Sequence, residues 1–156
     1  MKILSFVDYA PTFCELAGAK MPTDRKIDGT SILPVFKNKK IIRKTPLFWY
    51  FFRDFPQAAL REGDWIMIAK LDSEIPKSQH RFYCSNMHFL KEKPLVEFEL
   101  YNIKNDIGQQ NNLADNEPER FNKMKKKMMD LHKEVIAEGY VWPNSDFEET
   151  EWDNCP

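Results

Sequence analysis

From Pro46 to Asp72 the chain runs PLFWYFFRDFPQAALREGDWIMIAKLD, and this stretch limits the fold more than any other. Aromatic and β-branched residues crowd Leu47 to Phe52 and Trp65 to Ile68, with turn residues at Asp54-Phe55-Pro56 and Glu62-Gly63-Asp64. Such runs form strands because flat or branched side chains pack well on a pleated surface. Ala58 and Leu60, followed by Trp65, Met67 and Ala69 set against Ile66 and Ile68, extend the pattern into two further strands. Every residue from Leu47 to Phe52 is apolar or aromatic, so either both faces of that strand are covered or one forms an aromatic wall.

The rest of the chain supplies helices to cover this sheet. Asp8 is placed to cap a helix over about Tyr9–Ala17, and Gly18 supplies a left-handed stop. Ala10, Phe13, Cys14 and Ala17 share one stripe of that helix, which calls for a partner surface. Lys20 to Ile27 is a polar loop, and Ile32, Leu33, Val35 and Phe36 form a small apolar anchor after Gly29. Val96, Phe98 and Leu100 alternate with Glu97, Glu99 and Tyr101, the signature of a half-buried strand. Lys104 to Gly108 is a loop built from turn residues. Asn116 or Glu117 caps a last helix with Pro118 in its first turn and Glu119 at the positive end of its dipole. Phe121, Met124, Met128, Leu131 and Val135 step along one face as far as Gly139, with Lys123, Lys125, Lys126, Lys127 and Lys133 off it. Packing on the domain's own sheet accounts for that face, and His132 beside it reads as a partly exposed histidine and not a base.

The 156 residues suit one domain, and 23 basic against 24 acidic side chains leave no global charge to steer it to nucleic acid or a membrane surface. The basic run Lys37 to Lys44, KNKKIIRK, lacks interleaved aromatic residues and reads as a solvated loop before the first strand. The N-terminal run is interrupted by Asp8 and Pro11 and makes a poor signal peptide, and no apolar run approaches a membrane span. Cys14, Cys84 and Cys155 contain no Cys-x-x-Cys pair, so they give neither a zinc knuckle nor a disulfide framework, although one disulfide with one free thiol stays open. His80, Cys84 and His88 are spaced four apart without a recognisable fourth metal ligand, and a loop or extra hairpin is the better reading.

Five short blocks in order add a family likeness. They are Ser5–Thr12 with Glu15–Gly18, Asp28–Pro34, the aromatic strand with Ala-x-Arg-x-Gly-Asp-Trp at 59–65, Glu99–Ile103, and Asn112–Ala114. Together they resemble the C-terminal portion of the type I, arylsulfatase-like sulfatases, over about Ser5 to Ala137. Ile107, where the family commonly has Pro, and Gln109 or Gln110, where an acidic residue is usual, depart from the pattern. The resemblance implies an α+β fold: about four antiparallel strands with a long C-terminal helix packed on one face. Short helices belonging to an alkaline-phosphatase-like α/β domain precede it. Residues 1–44 then correspond to the end of the catalytic domain and a linker, 45–142 to the C-terminal subdomain, and 143–156 to an acidic tail.

Sulfate ester hydrolysis needs a nucleophile, a metal and cationic groups for developing charge. The family implies a formylglycine made within a Cys/Ser-x-Pro-x-Arg motif and a calcium held by Asp and Asn. Cys14 precedes Glu-Leu-Ala-Gly, Cys84 precedes Ser-Asn-Met-His and Cys155 precedes Pro156, so none fits. Calcium and formylglycine are therefore expected in a preceding catalytic portion, and no turnover is expected from this chain alone. Its role is a pocket wall against a sulfated sugar or aryl sulfate, with Tyr50, Arg53, Asp54 and Arg61 as the substrate-contact candidates and the catalytic domain as partner. Full-length relatives are often periplasmic, secreted or lysosomal, and this chain leaves the compartment open. The alternatives are a free-standing carbohydrate- or protein-binding module and a fragment of a related phosphate-ester hydrolase.

Overall fold

The computed structural model describes residues 3–51, 56–72, 91 and 93–139. The chain divides into two compact units, one built on residues up to Leu47 with Arg61–Gly63, the other on Phe48–Leu60 and the chain from Asp64 onward. The expected His80, Cys84 and His88 segment and the acidic tail lie outside the described residues.

In the second unit four strands, β1 (Leu47–Phe51), β2 (Gln57–Glu62), β3 (Trp65–Leu71) and β4 (Leu95–Asn102), form an open antiparallel sheet in chain order. Alternation along each strand sends one set of side chains to a common face. Ala58, Leu60, Met67, Ala69, Leu71, Leu95 and Leu100 bury there against Met124 and Met128 of the helix α3 (Pro118–Glu138). Phe48, Tyr50, Trp65, Phe98, Phe121 and Leu131 close the edges of this core. Burying each of the large side chains contributes about 1.5–3 kcal/mol, so the sheet and helix stabilise one another. On β1 the second of the two sequence alternatives holds: Phe48 and Tyr50 turn to the core, while Trp49 and Phe51 stay 44% and 50% exposed.

The clean alternation expected of β4 is broken. Leu71 pairs with Leu95 and Lys70 with Val96, yet Ile68 pairs with Glu99, with an irregularity between Ile68 and Lys70. Glu97 takes φ 49°, so one extra residue is accommodated as a bulge. Leu95, and not Val96, consequently enters the core, whereas Phe98 and Leu100 keep their expected face. Beyond β4 the loop is strapped back: the Leu113 amide donates to the Leu100 carbonyl at 2.8 Å, and Asn112 Oδ1 accepts from the amides of Leu100 and Ala114 at 3.0 Å each. Asp106 Oδ2 accepts from the amides of Gln110 and Asn111 at 2.8 Å. The family-like block after β4 is thus built for turn geometry.

Helix α3 begins at Pro118 and ends before Gly139 as expected, but Glu117 occupies the cap position without a side-chain capping hydrogen bond. Its apolar face is shifted slightly from the expected stripe. Val135 is 40% exposed, and His132 is buried in its place. Among the described residues no helix is long and apolar enough to cross a membrane.

The first unit holds a 3-10 turn (Phe6–Asp8), α1 (Tyr9–Ala17) and the short α2 (Leu33–Phe36). Gly18 adopts φ 65° and stops α1 as expected. Asp8 does not cap α1. Its carboxylate, fully buried, accepts from the Ser5 amide at 2.8 Å, the Thr30 amide at 3.0 Å and both terminal nitrogens of Arg43, Nη1 at 2.7 Å. Thr12 Oγ1 donates to the Asp8 carbonyl at 2.5 Å and accepts from the Ile32 amide at 3.0 Å. Gly29 passes so close to the Asp8 turn that a Cβ there would sit 1.8 Å from the Val7 carbonyl oxygen. Sterics therefore require a residue without a Cβ at Gly29. Arg43, from the basic run read as solvated, is the exception within it, with a side chain only 15% exposed. Of the expected anchor near α2, Ile32 is buried while Phe36 is 74% exposed.

Candidate functional site

The four substrate-contact candidates fare differently. Arg53 and Asp54 lie outside the described residues. Tyr50 reaches the helix-covered side of β1, where its ring lies 5.2 Å from that of His132, and burial pushes its phenol up to about 12. It is a neutral hydrogen-bonding group at any ordinary pH. His132 Nε2 is buried without a hydrogen-bond partner, and burial holds the imidazole below its usual range. The expectation that His132 is partly exposed is therefore corrected: a ring on the stripe, one helical turn beyond Met128, is drawn in with its neighbours.

Arg61 follows the buried Leu60 along β2 and so turns to the other side of the strand. The turn that follows is made by Gly63 at φ 64°. Arg61 Nε donates to the Gly63 carbonyl at 3.2 Å, which fixes the plane of the guanidinium. One of its terminal nitrogens, Nη2, is buried and has no hydrogen-bond partner. A planar, permanently charged donor with an unused N–H is suited to a carboxylate, sulfate or phosphate oxygen.

In the first unit the polar lock around Asp8 leaves the apolar side chains outside. Pro11 and Thr12 are the buried residues of α1, whereas Phe6 is 84% and Phe13 and Leu16 are each 62% exposed. Phe6, Tyr9 and Phe13 form a continuous aromatic run, with ring centroids 5.2 and 5.9 Å apart. Of the stripe that called for a partner surface, Ala10, Phe13 and Ala17 are open to solvent and Cys14 is half-buried. Nothing in the opening residues announced that Asp8 would be the buried hub, although Asp8, Thr12 and Gly29 all stand in the family-like blocks.

Neither family cofactor fits the described residues. No group of three or more His, Cys, Asp or Glu side chains among them is arranged to hold a metal, and the buried carboxylate of Asp8 is already saturated by Arg43 and two amides. Cys14, a free thiol, sits in the middle of α1 and outside any Cys-x-Pro-x-Arg context.

Residues 1–136 match the family model described as N-sulphoglucosamine sulphohydrolase, C-terminal. The chain belongs to this sulfatase family. A sulfatase from Formosa agariphila is 30% identical over 123 residues, covering 72% of this chain and 19% of its own length. An ulvan-active sulfatase from the same organism is 27% identical over 157 residues, covering 90% and 30%. The sulfatase-family chain described here thus spans less than a third of these curated relatives. Among solved structures, the fold is similar to Ps i-CgsB in complex with k-i-k-neocarrahexaose, at a TM-score of 0.62 and 22% identity over 93% of this chain and 28% of that one.

Proposed function

We propose that this chain is the C-terminal part of a sulfuric ester hydrolase acting on a sulfated sugar, and that it serves as pocket wall and structural support while the nucleophile, formylglycine, and calcium come from a catalytic portion. The observation that carries this reading is the match of residues 1–136 to a sulfohydrolase C-terminal family, and the names of the relatives support a sulfated saccharide over an aryl sulfate. Arg61 is the foremost substrate contact, since its half-exposed, planar and permanently charged guanidinium, oriented by the Gly63 carbonyl, suits a sulfate or carboxylate oxygen; Tyr50, Arg53 and Asp54 are the companion candidates. The exposed run of Phe6, Tyr9, Phe13 and Leu16 is the surface for the catalytic portion, in keeping with relatives more than three times as long.

The test is sulfate release from a sulfated oligosaccharide by the purified chain, alone and joined to its catalytic portion. No turnover is expected alone. In the joined enzyme Arg61→Gln is expected to lower kcat/KM by about 10- to 100-fold, the scale of one lost charged hydrogen bond. Metal-dependent sulfate release by the chain alone, or an Arg61→Gln enzyme with wild-type kinetics, would overturn the corresponding part.

A further inference from the structure

Between Gly29 and Arg53 the chain carries Lys37, Lys39, Lys40, Arg43, Lys44 and Arg53 and no acidic residue, although the whole chain has 23 basic and 24 acidic side chains. The positive charge is thus local, and the N-terminal unit holds it: residues 1–47 contain nine Lys and Arg against four Asp and Glu. Two of those four carboxylates, Asp8 and Asp24, are engaged by Arg43 and Arg25. Lys37, Lys39, Lys40 and Lys44 are exposed, and none of them is paired with a carboxylate among the described residues. Two large apolar side chains of the same segment are open as well, Phe36 at 74% and Ile42 at 84% exposure. The backbone beneath them is fixed. Asn38, at φ 53°, closes the end of α2, where the amides of Lys37 and Lys39 donate to the Pro34 carbonyl at 3.1 and 2.8 Å. Arg43 turns inward to Asp8, while Ile42 and Lys44 on either side of it stay outside.

We propose that the segment from Phe36 to Lys44 is a docking surface for a bilayer containing anionic lipid. Its four free ammonium groups meet lipid phosphates, and Phe36 and Ile42 enter the headgroup layer, where their apolar area leaves water. A soluble polyanion offers the same charge but no apolar layer, and would leave Phe36 and Ile42 in water. The two open apolar side chains therefore favour the membrane. Because the segment is already ordered, docking costs little conformational entropy. None of these residues belongs to the four substrate-contact candidates or to the run of Phe6, Tyr9, Phe13 and Leu16. The inference goes beyond the reading of the enzyme's substrate and does not rest on it.

The experiment is co-sedimentation of the 156-residue chain with vesicles of phosphatidylcholine alone and of equimolar phosphatidylcholine and phosphatidylglycerol. Binding to the anionic vesicles is expected to be at least about ten-fold tighter. Lys39→Gln with Lys40→Gln should weaken it about 25-fold, or about five-fold for each lysine near the surface. Phe36→Ser with Ile42→Ser should weaken it at least about ten-fold. Lys123→Gln with Lys126→Gln removes the same charge from α3 and should leave binding unchanged. All six side chains are exposed, so each variant keeps the fold. No binding, equal binding to both kinds of vesicle, or an equal loss in the α3 variant would overturn the proposal. Undiminished binding of the Phe36→Ser, Ile42→Ser chain would also overturn it, and would assign the lysines to a soluble polyanion.

Discussion

The two units of this chain are held together by opposite means. In the sheet-and-helix unit Leu60, Met67, Leu100, Met124 and Met128 are all under 2% exposed, and the lysines of α3 face outward or lie over aromatic rings, as Lys125 does over Phe98 at 4.5 Å. In the N-terminal unit the buried centre is an ion pair and a set of amide bonds around Asp8, and although Ile32 is buried, Phe6, Phe13, Leu16 and Phe36 are outside. A unit that buries its apolar surface is complete in energetic terms. One that buries a carboxylate and exposes Phe6, Phe13 and Leu16 fixes its backbone shape by polar contacts and leaves that apolar surface in water.

That contrast is broken most forcefully by substitution at each centre. Asp8→Ala leaves Arg43 buried without its carboxylate and is expected to destabilise the N-terminal unit by about 3–5 kcal/mol. Met128→Ala opens a cavity in the other core and is expected to destabilise it by about 2–5 kcal/mol. Both are read by denaturant unfolding followed by residue-resolved NMR. An Asp8→Ala chain as stable as wild type would remove the polar lock from the account.

Acidification destabilises both units, and separates them by the pH at which each begins to lose stability. Burial of Asp8 acts to raise its carboxyl, but the Arg43 guanidinium and the amides of Thr30 and Ser5 outweigh it and hold the group below its ordinary value. The unfolded chain therefore takes up that proton first. The contribution of Asp8 is complete above about pH 3.9 and is lost as pH falls through its lower folded value. His132 is held below its ordinary value by burial alone, so its contribution is complete above about pH 6.5 and is lost as pH falls from there. Unfolding monitored against pH should weaken the sheet-and-helix unit first, near neutrality, and the N-terminal unit only in strong acid. His132→Leu should abolish the first step; its persistence would assign it to another group.

The smallest effect is as informative. Phe6→Ser removes a ring that is 84% exposed, and the stability of the chain should change by no more than about 0.5 kcal/mol in thermal unfolding. In the joined enzyme the same change should lower the midpoint of inactivation. A large loss in the chain alone would mean that Phe6 already has a partner there.

Much of the sheet and helix was legible because it rests on local pattern. Aromatic crowding marked β1, the Gly63 turn marked the β2–β3 hairpin, and the three- and four-residue steps from Phe121 to Leu131 marked α3. What escaped was set by residues distant in sequence. Asp8 has the position and chemistry of a helix cap, and only Thr30 and Arg43, 22 and 35 residues away, divert it to the centre of its unit. The bulge at Glu97 was hidden because the residues around it still alternate in polarity, and His132 was hidden because an apolar stripe buries whatever ring stands on it. Of the candidate site, Arg61 was found by its residue type beside a Gly-Asp turn, whereas its buried, unused N–H could be seen only in three dimensions.

Amide hydrogen exchange on the 156-residue chain tests the contrast most directly. With its apolar face in water, α1 should open locally and exchange its amides at least about 100-fold faster than those of Met67 and Leu100, as expected of a segment with little buried apolar surface. Equal protection of Phe13 and Leu100 would mean that the N-terminal unit is already complete, and the case for a partner on its aromatic face would fall.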